Sequence, residues 1–324
     1  MSKENNNPLV SIALCVYNGE RFLTEQLDSL VGQTYSQIEI IAVDDCSTDA
    51  SVKILEDYSK RFEQIKIYKN DQNLGYVKNF EKAMQLCTGD LIALCDQDDL
   101  WDLNKINLQV AHLADNQLIY HDSRFIDEQG QDMHRKMSDV LHLYKGNQPE
   151  AFLLINSVSG HSIMFRRELL AEILPLHPDF FHDHWIAYVA TNRGSIDFIP
   201  QCLVNYRQHT STSTDILNTR KKLDKTYHEN RDVTKLKREL KWLKHCLSYE
   251  KNKDRAFINH FVKLFEQRIT SLFSFRYAIL IGKHFDILYH NKKLHKSSRI
   301  GFIYRQMWGL KAKTIWADLF AKKS

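Results

Sequence analysis

The segment from Leu91 to Trp101 constrains the fold more than any other stretch of this 324-residue chain. Its first five residues, 91–95, are all apolar, and such a short run is typical of a strand buried on both faces of a parallel sheet. Three carboxylates follow at once, Asp96, Asp98 and Asp99. Crowded carboxylates repel one another unless a cation lies among them, and their oxygens suit hard divalent ions. An isolated acidic turn is usually just solvated, but open α/β sheets bind ligands beyond the carboxyl ends of their strands.

Short apolar runs alternate with helix-length segments throughout the first half of the chain. The runs cover residues 9–16, 38–43, 65–68 and 91–95. The segments between them carry apolar residues at helical spacing, so βαβ units are predicted. We therefore expect an α/β fold with a mostly parallel sheet flanked by helices. With 43% hydrophobic and 26% charged residues, the composition is ordinary for a globular protein.

The second apolar run also ends in carboxylates, Asp44 and Asp45. The carboxyl ends of parallel strands lie along one edge of a sheet, so two acidic groups on that edge favour a ligand with a metal over helix caps or solvated turns. The chain has no G-x-G-x-x-G after its first strand and no G-x-x-x-x-G-K-[ST] anywhere. Phosphates bound at this edge must therefore be held by a metal or by side chains.

Four segments, in this order, carry a family resemblance: 11–19 (SIALCVYNG), 43–49 (VDDCSTD), 73–75 (NLG) and 96–99 (DQDD). Together they resemble family 2 glycosyltransferases of the GT-A fold. Within that family, the chain is most similar to bacterial rhamnosyltransferase-like enzymes of cell-surface polysaccharide synthesis. The resemblance covers about residues 8–212.

The resemblance implies a donor site for a nucleoside-diphosphate sugar, dTDP- or UDP-linked. Asp45 would read the uracil or thymine imide, and Asp96 and Asp98 would hold Mg²⁺ or Mn²⁺ on the diphosphate. The other residues predicted to line the donor site from these motifs are Tyr17, Asn18, Asp44, Asn73 and Gly75. A sugar nucleotidyltransferase is disfavoured because the loop after the first strand contains one glycine only.

An inverting transferase needs a base that takes a proton from the acceptor hydroxyl. The family places an acid before a helix, and Asp183 is the matching residue here. Asp183 could instead only cap that helix, since Asp is a common cap. His182 and His184 stand where an acidic pair is more usual, and His184 is a weaker candidate base. As metal ligands the two histidines are disfavoured, because residues two apart do not share a helix face.

Two further segments supply candidate ligands. Residues 159–165 resemble the family's glycine-containing strand near the donor sugar, which makes Gly160 and His161 candidates. A core role for His161 is equally well supported. Arg207 and His209 would share one face of a strand, where Arg207 suits a diphosphate and His209 a metal. An exposed edge strand explains that pair almost as well.

The predicted division is a catalytic domain at 1–215 and a helical, basic region at 216–324. The second part holds 26 Lys and Arg against 9 Asp and Glu, whereas the first holds 18 against 31. Basic and aromatic residues at helical spacing suit an anionic membrane surface, although helix packing explains part of the pattern. Nucleic acid is not expected, since no binding motif occurs.

The chain lacks an apolar stretch of membrane-spanning length, and its six cysteines form no CxxC pair. We expect a cytoplasmic protein, peripheral at the inner face of the cell membrane. The family resemblance implies a polyprenyl-linked or polysaccharide acceptor. A non-catalytic nucleotide-sugar-binding or scaffold protein of a polysaccharide assembly is the alternative, which the intact acidic motifs disfavour.

Overall fold

A computed structural model describes residues 7–209, 225–290, 296–312 and 315, apart from the side chains of 225–233 and 296. The strands are β1 (Val10–Val16), β2 (Ile38–Asp44), β3 (Ile65–Lys69), β4 (Leu91–Cys95), β5 (Leu100–Trp101), β6 (Leu118–Ile126), β7 (Asp132–Lys136), β8 (Met164–Arg166) and β9 (Ile196–Arg207). They form one sheet in the order β3-β2-β1-β4-β8-β6-β9-β5, with β7 paired to β6.

The helices separate the early strands and then make up most of the later chain. They are α1 (Leu23–Val31), α2 (Ser51–Arg61), α3 (Tyr76–Leu86), α4 (Lys105–Leu113), α5 (Met137–Val140), α6 (Leu170–Ile173), α7 (His182–Arg193), α8 (Lys225–Ser248), α9 (Arg255–Thr270), α10 (Phe275–Lys283), α11 (Phe285–Leu288) and α12 (Lys296–Gln306). Short 3₁₀ turns occur at Pro149–Phe152, Gly160–Ser162 and Arg167–Leu169.

The order of the first four strands places the topological switch point of the sheet between β1 and β4. All three pairings among β1 to β4 are parallel, and the chain reverses its direction of travel across the sheet between β1 and β4. Ligands of open α/β sheets bind at such a switch point, outside the carboxyl ends of the strands. The predicted α/β fold is confirmed. Beyond β4, the pairings are mixed, since β8 is antiparallel to both its neighbours while β6 and β9 are parallel.

The apolar strands are buried on both faces, as their sequences predict. All five residues of β4 and all but one of β1 are buried, because helices cover the sheet. α1 buries Leu23, Leu27 and Leu30 at helical spacing. This core fixes the strand ends from which the polar loops project.

Two local expectations need correction. Residues 159–165 are not a continuous strand: Gly160–Ser162 is a 3₁₀ turn, and the paired strand begins only at Met164. The extended run beginning at Leu203 belongs to a longer strand, β9, and ends at Arg207, so His209 lies just beyond it. Arg207 and His209 therefore do not share a strand face.

The chain divides into two compact units. Among the described residues, the first contains 7–147 and 157–209, and the second contains 148–156 and everything after 224. The boundary predicted at 215/216 lies outside the described residues. The inclusion of 148–156 in the second unit was not predicted; there the Phe152 carbonyl accepts a hydrogen bond from Trp242 Nε1 at 3.2 Å. None of the described helices has the length and apolar character required to cross a bilayer.

Candidate active site

The loops at the ends of β1 and β4 are joined by one side chain. Gln97 accepts a hydrogen bond from the Tyr17 amide at 2.7 Å and donates one to the Tyr17 carbonyl at 3.0 Å. The Tyr17 ring remains 47% exposed above this junction. Gln97 was not predicted as a site residue, although its position inside the acidic motif was a signal that could have found it.

The β1 and β2 loops are joined in the same way. The Asn18 amide donates to Ser47 Oγ at 2.9 Å, and Asn18 Oδ1 accepts from the Thr48 amide at 2.8 Å. Asn18 and Cys46 both have positive φ, +48° and +65°, which is uncommon outside glycine. Such backbone strain concentrates at ligand sites, where the surrounding hydrogen bonds maintain it.

Asp45 organises the loop that contains Asn73 and Gly75. Its Oδ1 accepts hydrogen bonds from Asn70 Nδ2 at 2.7 Å and the Leu74 amide at 2.8 Å, and its Oδ2 accepts from the Gly75 amide at 2.9 Å. Gly75 has φ +80°, a conformation natural to glycine, and its amide also donates to Asn73 Oδ1. The structure thus brings three predicted donor-site residues together.

Asp44 points into the protein beside this network. Its Oδ2 accepts a hydrogen bond from the Ser47 amide at 3.0 Å. Its Oδ1 is buried without a hydrogen-bond partner among the described residues. Asp44 therefore anchors the β2 loop and leaves one buried acceptor unfilled.

The acidic loop after β4 meets the end of β9. His209 Nε2 lies 2.7 Å from Asp98 Oδ2, and both side chains are partly open to solvent, 10% and 16% exposed. Burial, with the charges of Asp98 and Asp183, raises the pKa of Asp96 to about 7. The charges of Asp98 and Asp183 therefore reach Asp96, and a cation beside Asp96 would offset them.

A second group lies deeper under the same loop. One ligand atom each from Asp96, Asp99 and His161 lies within 4.8 Å of the others. Asp99 is fully buried, and its Oδ2 has no hydrogen-bond partner in the described part of the chain. His161 is 3% exposed and stacks on Tyr206 with ring centroids 4.3 Å apart.

The imidazole of His161 is held as a neutral group. Burial, with the nearby charge of Lys105, lowers the pKa of His161 to about 3. Its Nε2 lies 2.8 Å from the Ser123 hydroxyl. Its placement thus agrees with a satisfied core histidine that lies beside Asp96 and Asp99.

Arg207 is the most heavily bonded residue of the site. Its backbone amide donates to Asp99 Oδ1 at 3.0 Å and its Nε to the Asp98 carbonyl at 2.9 Å. The two terminal nitrogens donate to the Glu128 carbonyl at 3.2 Å and to Glu25 Oε2 at 2.7 Å. The side chain is 2% exposed. A diphosphate could reach this guanidinium only by displacing those partners.

The predicted base lies next to the predicted glycine. Asp183 is in the first turn of α7 but is not the N-cap residue, which is Phe181. Its Oδ2 accepts a hydrogen bond from the Gly160 amide at 3.1 Å, and its Oδ1 accepts from the His184 amide at 2.6 Å. Residues from two distant segments of the chain thus meet.

One buried cation below the acidic loop was not predicted as a site residue. Lys105, at the start of α4, is fully buried, and its Nζ lies 3.1 Å from the centre of the Trp101 ring. Burial lowers the pKa of Lys105 to about 7, against the opposing effect of Cys95 and Asp99. A lysine at the start of a helix normally faces water, so no sequence signal identified this one.

The chain matches the family model described as "Glycosyl transferase family 2" over residues 11–174, slightly more than half its length. It is 27% identical over 248 residues to an uncharacterized glycosyltransferase of Haemophilus influenzae, covering 72% of this chain and 73% of that one. Some other curated relatives are covered over 59–60% of their own length.

Solved structures share the fold at low identity. The Staphylococcus aureus TarS fragment 1–349, solved with UDP-GlcNAc, is 14% identical with a TM-score of 0.57, covering 86% of this chain and 81% of that one. The mannosyltransferase PcManGT of Pyrobaculum calidifontis, solved with GDP-Man and Mn²⁺, is 15% identical with a TM-score of 0.52, covering 97% and 88%. With the family match over more than half of its residues, the chain belongs to glycosyl transferase family 2 and is a glycosyltransferase.

Proposed function

We propose that this enzyme is a metal-dependent, inverting glycosyltransferase. It moves a sugar from a nucleoside-diphosphate donor to a hydroxyl of a lipid-linked or polysaccharide acceptor. One observation carries the proposal: Asp98 and His209, both partly exposed, pair in the loop after β4, and the charges of Asp98 and Asp183 both act on the neighbouring Asp96. Residues at this edge of the sheet would hold the metal, place the leaving diphosphate on it and supply the base.

Asp98 and His209, with Asp96, are the proposed ligands of Mg²⁺ or Mn²⁺. Oxygen and imidazole ligands suit these ions, and adjacent ligand atoms of an octahedral site lie about 3 Å apart. The observed 2.7 Å between Asp98 and His209 needs little adjustment. A bound ion would neutralise the charge that develops on the leaving diphosphate.

The deeper group of Asp96, Asp99 and His161 fits this role less well. A donor-binding ion must leave coordination positions open to phosphate oxygens. Asp99 is fully buried and already accepts a hydrogen bond from the Arg207 amide. We therefore propose that Asp99 stabilises the acidic loop and that the neutral His161 side chain lines the donor-sugar site.

The hydrogen bonds of Asp45 favour a uracil or thymine base. An ionised carboxylate has about four acceptor positions, and three of these are already filled. One position remains, which matches the single imide N–H of uracil or thymine but not the two adjacent donors of guanine. Asp45 is only 2% exposed, so a base can reach no more than the one unfilled acceptor position of its carboxylate. A dTDP-linked donor would agree with rhamnose as the transferred sugar.

Arg207 is proposed to position Asp98 and His209 rather than to bind the diphosphate itself. A lysine in its place keeps the charge but cannot bridge the Asp98 carbonyl, Glu128 and Glu25 together. We expect Arg207→Lys to weaken Mn²⁺ binding about tenfold, with a smaller effect of the same kind for Glu25→Gln. Calorimetric titration of Mn²⁺ without donor measures this. Unchanged Mn²⁺ affinity with weakened donor binding at saturating Mn²⁺ would instead assign Arg207 to the diphosphate.

The location proposed for the enzyme is the inner face of the cell membrane, held peripherally. The excess of basic residues after 215 supports this, as does an acceptor built on a polyprenyl lipid. The sugar would then be transferred close to the bilayer surface.

A nucleotide-sugar panel tests the proposed activity. We expect Mn²⁺- or Mg²⁺-dependent hydrolysis of UDP- or dTDP-linked sugars, inhibited by free UDP or dTDP and not by GDP. Asp115→Ala, which removes an exposed carboxylate elsewhere, is the control. Hydrolysis that continues in EDTA would remove the metal from the proposal, and efficient use of GDP-sugars would contradict the role of Asp45. Tight donor binding without hydrolysis or transfer would favour a binding protein.

A further inference from the structure

The second unit exposes a cluster of three aromatic rings where α9 joins α10 and where α12 ends. Phe273, Phe275 and Trp308 are 51%, 55% and 40% exposed. The Phe273 ring lies 5.5 Å from that of Phe275, nearly parallel to it, and 5.3 Å from that of Trp308. Contiguous exposed apolar surface marks an interaction site more often than scattered exposed residues do. We call these three residues the aromatic tip.

The backbone holds the aromatic tip in place. The Ser274 amide donates to the Met307 carbonyl at 2.7 Å, and the Ser274 hydroxyl to the Gln306 carbonyl at 2.6 Å. The Gly309 amide donates to the Leu272 carbonyl at 2.8 Å. A Cβ at Gly309 would lie 1.9 Å from the Ser271 carbonyl oxygen, so this close approach requires glycine. The rings are therefore displayed on a fixed frame.

Exposed apolar residues continue along both adjoining helices. Ile279 on α10 is 56% exposed, and Ile300 and Tyr304 on α12 are 63% and 56% exposed. Positions four apart lie on the same side of a helix, so Ile279 extends the row from Phe275 and Ile300 extends the row to Tyr304. The apolar surface is thus larger than the tip alone.

The charge around this surface is mostly positive. Of the side chains that the structure describes between 271 and 315, five are Lys or Arg and one is acidic, Asp286. Asp286 already pairs with Arg299, at 2.8 Å. Arg276 and Lys283 on α10 are exposed. Any partner of this surface should therefore combine negative charge with an apolar layer.

We propose that the aromatic tip and the basic residues beside it dock the enzyme onto an anionic lipid bilayer, with the rings at the level of the headgroups. Aromatic side chains favour that interface, and basic residues are attracted by anionic lipids. A second copy of the chain would bring like charges together at a symmetric contact. Nucleic acid would complement the positive charge of this surface, but it would not account for the exposed isoleucines. This proposal rests on the proposed function in one respect: the lipid-linked acceptor is the reason for the enzyme to bind a membrane.

Vesicle sedimentation of the full chain tests the docking surface. The vesicles contain phosphatidylglycerol and phosphatidylcholine in equal parts, with pure phosphatidylcholine as control. We expect Phe273→Ser/Phe275→Ser/Trp308→Ser to lower the partition coefficient by about tenfold or more at any salt concentration. Arg276→Ser/Lys283→Ser should lower it by about fivefold per residue at low salt and less at high salt.

A matched control removes two exposed lysines from the first unit, Lys53→Ser/Lys60→Ser, and should leave binding near the parental value. Point substitutions are preferable to truncation near residue 290, because truncation would also remove Phe302, which packs on Phe285 and Tyr289. Melting curves confirm that each variant is folded.

The outcomes separate the two proposals. Vesicle binding that the aromatic variant retains, or equal binding to neutral vesicles, overturns the docking surface. So does self-association in gel filtration that the aromatic variant abolishes, or tighter binding to duplex DNA than to the anionic vesicles. Hydrolysis of a nucleotide sugar in solution should be the same in every variant. If the parent protein binds vesicles but does not hydrolyse a nucleotide sugar, only the proposed function is contradicted.

Discussion

Asp98→Ala is expected to lower sugar transfer by about 10²–10³-fold while the protein remains folded. The loss corresponds to removal of one preorganised electrostatic contact to the transition state, here the side chain that would hold the ion on the leaving diphosphate. The fold should persist because the Arg207 guanidinium bonds to the backbone carbonyl of residue 98, which the substitution leaves in place. Removal of one of several crowded carboxylates also relieves repulsion.

The measurement combines initial rates with Mn²⁺ titration for the parent, Asp98→Ala and the surface control Asp115→Ala. Weaker Mn²⁺ binding and slower transfer should appear together in Asp98→Ala only. An Asp98→Ala enzyme that retains the parental rate, or a parent that is indifferent to EDTA, would show that this residue holds no catalytic ion.

Two pairs of amide substitutions distinguish metal binding at Asp98 and His209 from metal binding at Asp99 and His161. Asp98→Asn and His209→Gln should each weaken Mn²⁺ binding about tenfold or more. Asp99→Asn can still accept the Arg207 amide, so it should alter Mn²⁺ affinity little, as should His161→Gln. The reverse pattern would assign the ion to Asp96, Asp99 and His161 instead.

The layout of the first unit could be predicted because its signals are local. A short, wholly apolar run such as 91–95, bounded by polar turns, is typical of a buried strand, and parallel strands bring their carboxyl ends to one edge whatever the side chains are. That is why Asp45, Asp96 and Asp98 could be placed on a common edge from the sequence alone.

The roles of individual polar residues were harder to predict because they depend on long-range partners. The prediction that Arg207 contacts a diphosphate could not take account of Glu25, 182 positions away, whose carboxylate accepts a hydrogen bond from the guanidinium. Lys105 is buried against Trp101, which a helix-start pattern does not indicate. Nothing in residues 148–156 showed that they join the second unit, since a segment so short carries no separate composition signal.

Asp183→Asn is expected to lower the rate constant for transfer by about 10²–10⁴-fold without weakening donor binding. Asparagine has the same shape but cannot accept the proton of the acceptor hydroxyl, and general-base catalysis typically contributes this much. Asparagine can keep one of the two hydrogen bonds that Asp183 accepts, from the Gly160 and His184 amides, so we expect a loss of about 1 kcal/mol in the free energy of unfolding. Single-turnover transfer and calorimetric donor binding, measured separately, test both halves of this expectation.

Azide distinguishes a base from a structural anchor. As an anion it attacks the anomeric carbon without losing a proton and displaces the nucleoside diphosphate to give a glycosyl azide. It should therefore restore donor consumption, but not transfer to the acceptor, in Asp183→Asn if position 183 is the base. If Asp183 only fixes the start of α7 and the Gly160 turn, its replacement would distort the donor site, and azide would restore nothing. His184→Gln is the matched control, because it changes the neighbouring titratable side chain and leaves Asp183 in place. Parental transfer by Asp183→Asn, together with a slow His184→Gln enzyme, would move the base to His184.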